Sequence, residues 1–259
     1  MVNAMKRLDK TEIYEGLKAN RFILHFQPQY EISENRMVGA EALIRYETEN
    51  KGILYPASFI DEIENYENPK LMIDMDIFIL ENTCKTSLNI GNDNFVLSCN
   101  ASMVSIMSDR YKERATYFFK HHGLKRGRIK IEITETLQCN DNRVLIESMN
   151  YLKNIGYLFS IDDFGIAPFS SLIVMPVSSI KLDKIFFNRE YVNNHKTGII
   201  LLSILNMANS LELDIIAEGI ETIEQVLLLS EIGLKYAQGF FFDKPMEEQQ
   251  FLKKVNSVI

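Results

Sequence analysis

The sequence predicts an α/β fold, a closed barrel in preference to an open doubly wound sheet. Three observations support this. The chain has 259 residues, about the size of one α/β barrel. Short apolar runs alternate with helical patterns along most of its length. The later runs end in carboxylates or amides, where the active sites of such barrels form.

Taken in order, Thr11 to Ala19 reads as a short helix. RFILHFQ (21–27) and MVGAEALIRYE (37–47) read as strands. The turn-rich link QYEISENR is too short for a crossover, so this first pair is expected to be antiparallel. ASFIDEIENY and KLMIDMDIFILENTCKTSL carry apolar residues at helical spacing. Strands FVLSCNA, IKIEITE, LFSIDDF, SIKLDK, DIIAEGI and YAQGFFF follow. Between them lie helices such as RVLIESMNYLKNIG and GIILLSILNMANSLEL. Six parallel strands added to the first two make eight. With no low-complexity segment or Pro/Ser linker, residues 1–259 are expected to form one domain.

Composition is that of a globular protein, 46% hydrophobic and 24% charged. The formal charge of −7 argues against a surface that coats a nucleic-acid polymer. Cys84, Cys99 and Cys139 lack CxxC spacing, which fits reduced thiols in a cytosolic domain. MVNAMKRLDKTE has no apolar signal core. The longest apolar stretch, Gly198 to Ala208, is short of the ~20 residues of a membrane span and reads as a buried helix. His25, His121, His122 and His195 have no zinc-site spacing. His121 and His122 close a helical pattern before Gly123, where a helix dipole favours them.

The polar residues inside the apolar runs point to chemistry. They are Glu41 in GAEALIR, Asn100 in LSCNAS, Glu132 in IKIEITE, Asp162 and Asp163 in FSIDDFG, and Glu218 in IIAEGIE. Buried carboxylates are costly unless paired or metal-bound. In IKIEITE, Ile129, Ile131 and Ile133 alternate with Lys130, Glu132 and Thr134, so the polar three share one face. Oxygen donors alone select Mg²⁺, Mn²⁺ or Ca²⁺ over zinc. Adjacent Asp162 and Asp163 suit a two-ion site for attack on a phosphodiester. Lys181 in SIKLDK adds a cation that could orient water or stabilise charge on the phosphate.

FQP (26–28), EALIR (41–45), EITE (132–135), DDFG (162–165), IKLD (180–183), AEGIET (217–222) and QGFFF (238–242) occur in this order. Together they make the chain resemble the EAL domain, the cyclic-di-GMP phosphodiesterase family, over about residues 10–256. The resemblance implies a modified TIM (β/α)8 barrel with an antiparallel first pairing. It also implies two Mg²⁺ or Mn²⁺ ions and hydrolysis of cyclic-di-GMP to linear pGpG. Carried over by motif, Glu41, Asn100, Glu132 and Asp162 would hold the first ion. Asp162 and Asp163 would share the second, with Glu218 nearby as ligand or base. Lys181 would contact the nucleophilic water and Arg45 a ligand phosphate. Gln27 and Gln238 would line the nucleotide groove, and Glu221 would touch the ligand or support that shell. Glu135 would anchor the loop after DDFG. A cytoplasmic homodimer is implied, either free-standing or attached to sensory or GGDEF domains.

The loop departs from the family pattern. Where the family has a small polar residue and a second glycine, this chain has Ile166 and Ala167, and Pro168 reads as an insertion before Phe169. Proline fixes its own φ and pushes the preceding residue toward extended conformations. A degenerate EAL domain that senses cyclic-di-GMP or docks on a protein is therefore the alternative to an enzyme. An enolase-like barrel is disfavoured, because only about twenty residues precede the first strand.

Overall fold

A computed structural model describes residues 7–64, 69–134, 142–164, 171–187 and 195–257. Glu135, Cys139 and the segment Ile166 to Phe169 lie outside the described residues.

The sequence opens with α1 (Lys10–Lys18), set by a reciprocal cap between Asp9 and Glu12. Two long strands follow, β1 (Phe22–Glu31) and β2 (Arg36–Glu47), paired antiparallel with Gln27 opposite Glu41. After the two-residue β3 (Ile53–Leu54) come α2 (Ile60–Glu64) and α3 (Lys70–Leu88). The next elements are β4 (Val96–Asn100), α4 (Met103–Met107), α5 (Asp109–His121), β5 (Ile129–Thr134), α6 (Asn142–Ile155) and β6 (Leu158–Asp162). They are followed by α7 (Ser171–Val174), β7 (Ser179–Leu182), α8 (His195–Ser210), β8 (Asp214–Ala217) and α9 (Ile223–Glu231). Two short strands, β9 (Tyr236–Ala237) and β10 (Met246–Glu247), precede α10 (Glu248–Ser257).

The strand order β1-β9-β8-β7-β6-β5-β4-β2, closed by the β1–β2 pairing, makes an eight-stranded barrel. β2 and β4 to β9 run parallel, while β1 is antiparallel to its three partners, β2, β9 and β10. This is the modified TIM barrel expected from the sequence. The outward side chains of β5, Ile129, Ile131 and Ile133, join the apolar cluster between sheet and helices. The inward face is polar: Gln27, Gln29, Glu41, Ser98, Lys130, Glu132, Ser160, Ser179 and Lys181 are all buried.

Some elements differ from the sequence reading. The helix expected over ASFIDEIENY is broken between the 3-10 turn Pro56–Ser58 and α2, because Phe59 (φ −150°, ψ −18°) leaves the helical dihedrals. Its ring is thereby buried edge-on against Phe22, centroids 5.3 Å apart. The strand expected over YAQGFFF stops at Ala237. Beyond it, Gly239 packs on the backbone of Ile220, where a Cβ would come within 2.1 Å of the Ile220 oxygen. The first strand instead runs longer than expected, through Gln29, Tyr30 and Glu31. Cys84 and Cys99 are free and buried. Among the described residues, no helix is long and apolar enough to cross a membrane.

Candidate functional site

The polar residues picked out in the sequence sit where ladder hydrogen bonds end at one rim of the barrel. Ala101 N donates to Glu132 O (2.9 Å), Phe164 N to Lys181 O (2.9 Å), Glu218 N to Leu182 O (2.9 Å) and Gln238 N to Ala217 O (2.8 Å). Each bond fixes a backbone next to, or at, a site side chain. Positive φ is used twice here. Gly219 (φ 62°) turns the chain straight after Glu218, and Asp163 adopts φ 50°, a left-handed conformation uncommon outside glycine.

Inside the rim, the Lys181 ammonium meets four carboxylates. It lies 2.7 Å from Glu132 Oε2, 2.7 Å from Glu218 Oε1, 3.0 Å from Glu41 Oε2 and 3.1 Å from Asp162 Oδ1. These side chains come from β2, β5, β6, β7 and the end of β8, so only the interior of a closed barrel can bring them together. Asn100 Nδ2 donates to Glu41 Oε1 (3.0 Å). Gln238 Nε2 donates to both Glu41 Oε2 (2.7 Å) and Glu218 Oε1 (2.8 Å). Oxygens of Asp162, Asp163 and Glu218 lie within 4.8 Å of one another.

One ammonium against the carboxylates of Glu41, Glu132, Asp162, Asp163 and Glu218 leaves a large negative excess. The titration behaviour follows from it. Burial, then the neighbouring Glu41 carboxylate, pushes Glu132 up to about 8 against the pull of Lys181. Burial pushes Glu218 well above the usual range and also raises Asp163, which Asp162 raises further. Glu41 goes the other way. Burial works to raise it, but Lys181 and hydrogen bonds from Gln238, Lys181 and Asn100 hold it below the usual value. Burial disfavours the Lys181 ammonium, yet the carboxylates around it raise its pKa well above that of a free lysine.

Two oxygens remain unsatisfied. Glu132 Oε1 is buried with no hydrogen-bond partner, and Asp162 Oδ1 has the ion pair to Lys181 but no hydrogen bond. An all-oxygen donor set with spare buried lone pairs fits a hard divalent cation.

The other residues expected at the site stand outside this cluster. Gln27 Nε2 donates to the Asp243 carbonyl (3.3 Å). Arg45 is buried, donates to Ile44 O (2.8 Å), lies 4.9 Å from the Tyr55 ring centre and has no partner at Nε. Glu221 is exposed beside a cavity of about 790 Å³, which Asp183, Lys184, Phe187 and Gly219 also line. Glu135 lies outside the described residues.

Sequence reasoning missed two residues. Buried Asp76 on α3 accepts from both Ser102 N and Ser102 Oγ (2.8 Å each), tying down the turn that follows Asn100. Buried Gln29 donates to Gln238 Oε1 (2.9 Å). An Asp on the apolar face of a helix and a Gln alternating with Gln27 were the available signals.

Comparison with known proteins fixes the family. The EAL domain profile matches residues 10–245. The chain belongs to the EAL domain family. Among EAL relatives, the signaling protein YkoW of Bacillus subtilis (strain 168) is 31% identical over 92% of this chain and 30% of its own length. The c-di-GMP- and cAMP-bound structure of the EAL enzyme Bd1971 superposes with a TM-score of 0.85 at 29% identity, covering 95% of this chain and 67% of that one. The c-di-GMP complex of PaMucR phosphodiesterase gives a TM-score of 0.82 at 26% identity, covering 93% and 98%. This EAL chain spans only about a third of the length of the curated relatives it matches.

Proposed function

We propose that this chain is a metal-dependent phosphodiesterase that hydrolyses cyclic-di-GMP to linear pGpG. The observation that carries the reading is the convergence of oxygen donors from separate strands, with spare buried lone pairs on Glu132 and Asp162. The c-di-GMP complexes of the EAL proteins Bd1971 and PaMucR support the substrate class.

In this reading Glu41, Asn100, Glu132 and Asp162 hold one Mg²⁺ or Mn²⁺ ion. Asp162 and Asp163 share a second, with Glu218 beside them. Such ions lower the pKa of bound water and stabilise charge developing on the phosphate. Two divalent ions together with the Lys181 ammonium would also bring the five carboxylates to neutrality. The residues of the chain do the rest. Lys181 orients the attacking water and keeps one positive charge at the site. Glu218, at the edge of the cluster beside Asp162 and Asp163, can take a proton from that water and pass it on. Arg45, with an unpartnered buried Nε, meets a ligand phosphate. Gln27, Gln238 and Glu221 shape the nucleotide groove, and Glu135 anchors the loop after Asp163. One EAL-type domain, working in the cytoplasm as a homodimer, completes the proposal.

Purified protein incubated with Mn²⁺ or Mg²⁺ and cyclic-di-GMP, with the products separated by chromatography, tests it. Appearance of pGpG that stops on chelation is the expected result. The departures at Ile166, Ala167 and Pro168 favour a second reading, a cyclic-di-GMP sensor. Tight binding without product would establish that reading and overturn the first.

A further inference from the structure

Gln238 holds two carboxylates of the acidic cluster with one amide group. Its Nε2 donates to Glu41 Oε2 at 2.7 Å and to Glu218 Oε1 at 2.8 Å. Both contacts use the amide nitrogen as donor and a carboxylate oxygen as acceptor, so the nitrogen faces the cluster and the amide oxygen faces away. That oxygen, Gln238 Oε1, accepts from Gln29 Nε2 at 2.9 Å. Gln29 is 6% exposed and Gln238 is 5% exposed, so water is a poor substitute for either partner.

Gln29 has room for this because its cross-strand partner is Gly39. A Cβ on Gly39 would lie 2.6 Å from the Val96 oxygen and 3.1 Å from Gln29 Oε1. On its other side Gln29 lines a cavity of about 140 Å³ with Lys130, Asp214 and Tyr236. Among the described residues, no bond joins Gln29 to a carboxylate of the cluster. Its route to them runs through Gln238.

We propose that Gln29 is a positioning residue for the cation site. It fixes Gln238 in the amide orientation that holds Glu41 and Glu218 together. The inference rests on the metal-dependent reading above. Rotating the Gln238 amide by half a turn would set its oxygen against two carboxylates and its nitrogen against the Gln29 nitrogen. The contact with the carboxylates is repulsive, so Gln238 keeps its nitrogen toward them, and the oxygen it turns away is satisfied by the Gln29 donor. Without the Gln29 donor, the oxygen of Gln238 is a buried orphan. The amide then loses half of what orients it, and Glu41 and Glu218 lose a fixed common donor.

The test is Gln29→Met, which keeps the volume and removes the donor. Gln29→Asn, too short to reach Gln238, serves as a second variant should the first not fold. Mn²⁺ affinity is measured by calorimetric titration, in the native background and in a Gln238→Leu background. The expected loss is about fivefold in the native background, the equivalent of one neutral hydrogen bond. No further loss is expected where Gln238 is already replaced. An equal loss in both backgrounds would mean that Gln29 acts by packing, and would overturn the proposal. So would an unchanged affinity in the native background.

A second readout needs no metal. The side-chain amide protons of Gln238, followed by NMR in the metal-free protein, should exchange with water at least tenfold faster in Gln29→Met. Unchanged exchange would overturn the role of Gln29 even if Mn²⁺ binds well. Wild-type protein that binds no Mn²⁺ would instead sink the metal reading, and the exchange rates would still decide whether Gln29 orients Gln238.

Discussion

The Lys181 ammonium meets the Glu132 carboxylate at 2.7 Å, and neither side chain is more than 1% exposed. A charge pair this deep is costly to assemble and more costly to break, because removing one partner strands the other. The consequences can be measured.

Lys181→Met should destabilise the metal-free protein by about 3–5 kcal/mol near pH 8. The variant leaves the surrounding carboxylates without their internal cation. Near pH 6 the loss should shrink, because the carboxylates can take up protons. Urea unfolding in the presence of a chelator at the two pH values checks this. Equal loss at both would mean that the ammonium contributes little beyond packing.

Glu41→Ala should lower cyclic-di-GMP turnover by about 10²-fold or more, as expected when a ligand set slackens. It removes the acceptor shared by Asn100, Lys181 and Gln238. Steady-state assays at saturating Mn²⁺ decide the point. Near-normal turnover would refute the role of Glu41 as a metal ligand.

Glu132 gives the metal-free protein a specific pH dependence. Its carboxyl is raised from 4.5 to about 8, first by burial. The folded state thus holds a proton that the unfolded chain releases near 4.5. The stability this contributes is fully present below about 4.5 and is lost as pH rises through about 8. Glu218 and Asp163, also raised, act in the same direction. Metal-free protein should therefore be less stable at pH 8.5 than at pH 5.5. Mn²⁺ affinity should rise over the same interval, with protons released on binding. Calorimetry in buffers of different ionisation enthalpy counts those protons, and none released at pH 7 would contradict the assignment.

Gly239→Ala should destabilise the fold by about 1–3 kcal/mol or more, the usual cost of overpacking. The new Cβ would lie 2.1 Å from the oxygen and 2.2 Å from the nitrogen of Ile220, both backbone atoms that cannot swing aside. The adjacent Gln238 would shift with it, so turnover should fall as well. Denaturant midpoints and kinetics together test this, and a neutral result in both would mean that the loop yields freely.

Much of the molecule was legible because its polar residues interrupt apolar runs. Asn100 ends FVLSCN, and the alternation in IKIEIT separates inward Glu132 from outward isoleucines without any structural knowledge. The helix over KLMIDMDIFILENTCKTSL was readable from its spacing and matches Lys70–Leu88. YAQGFFF misled, because its aromatic residues suit a strand while Gly239 obeys a contact with Ile220, remote in the pattern. Gln29 and Asp76 stayed hidden for a related reason. Each acts on a residue far along the chain, and no local periodicity encodes a partner 209 residues away in one case and 26 in the other.

The reversed direction of β1 has a further consequence. Phe22 pairs with Tyr46 at the far end of β2, so the polypeptide enters its first strand from the rim that carries Glu41, Lys181 and Glu218. In an all-parallel barrel the first strand would start at the opposite floor. Here the link from α1 joins the barrel on the same rim as the acidic cluster, so a shift in the packing of α1 would reach that rim through a single strand end.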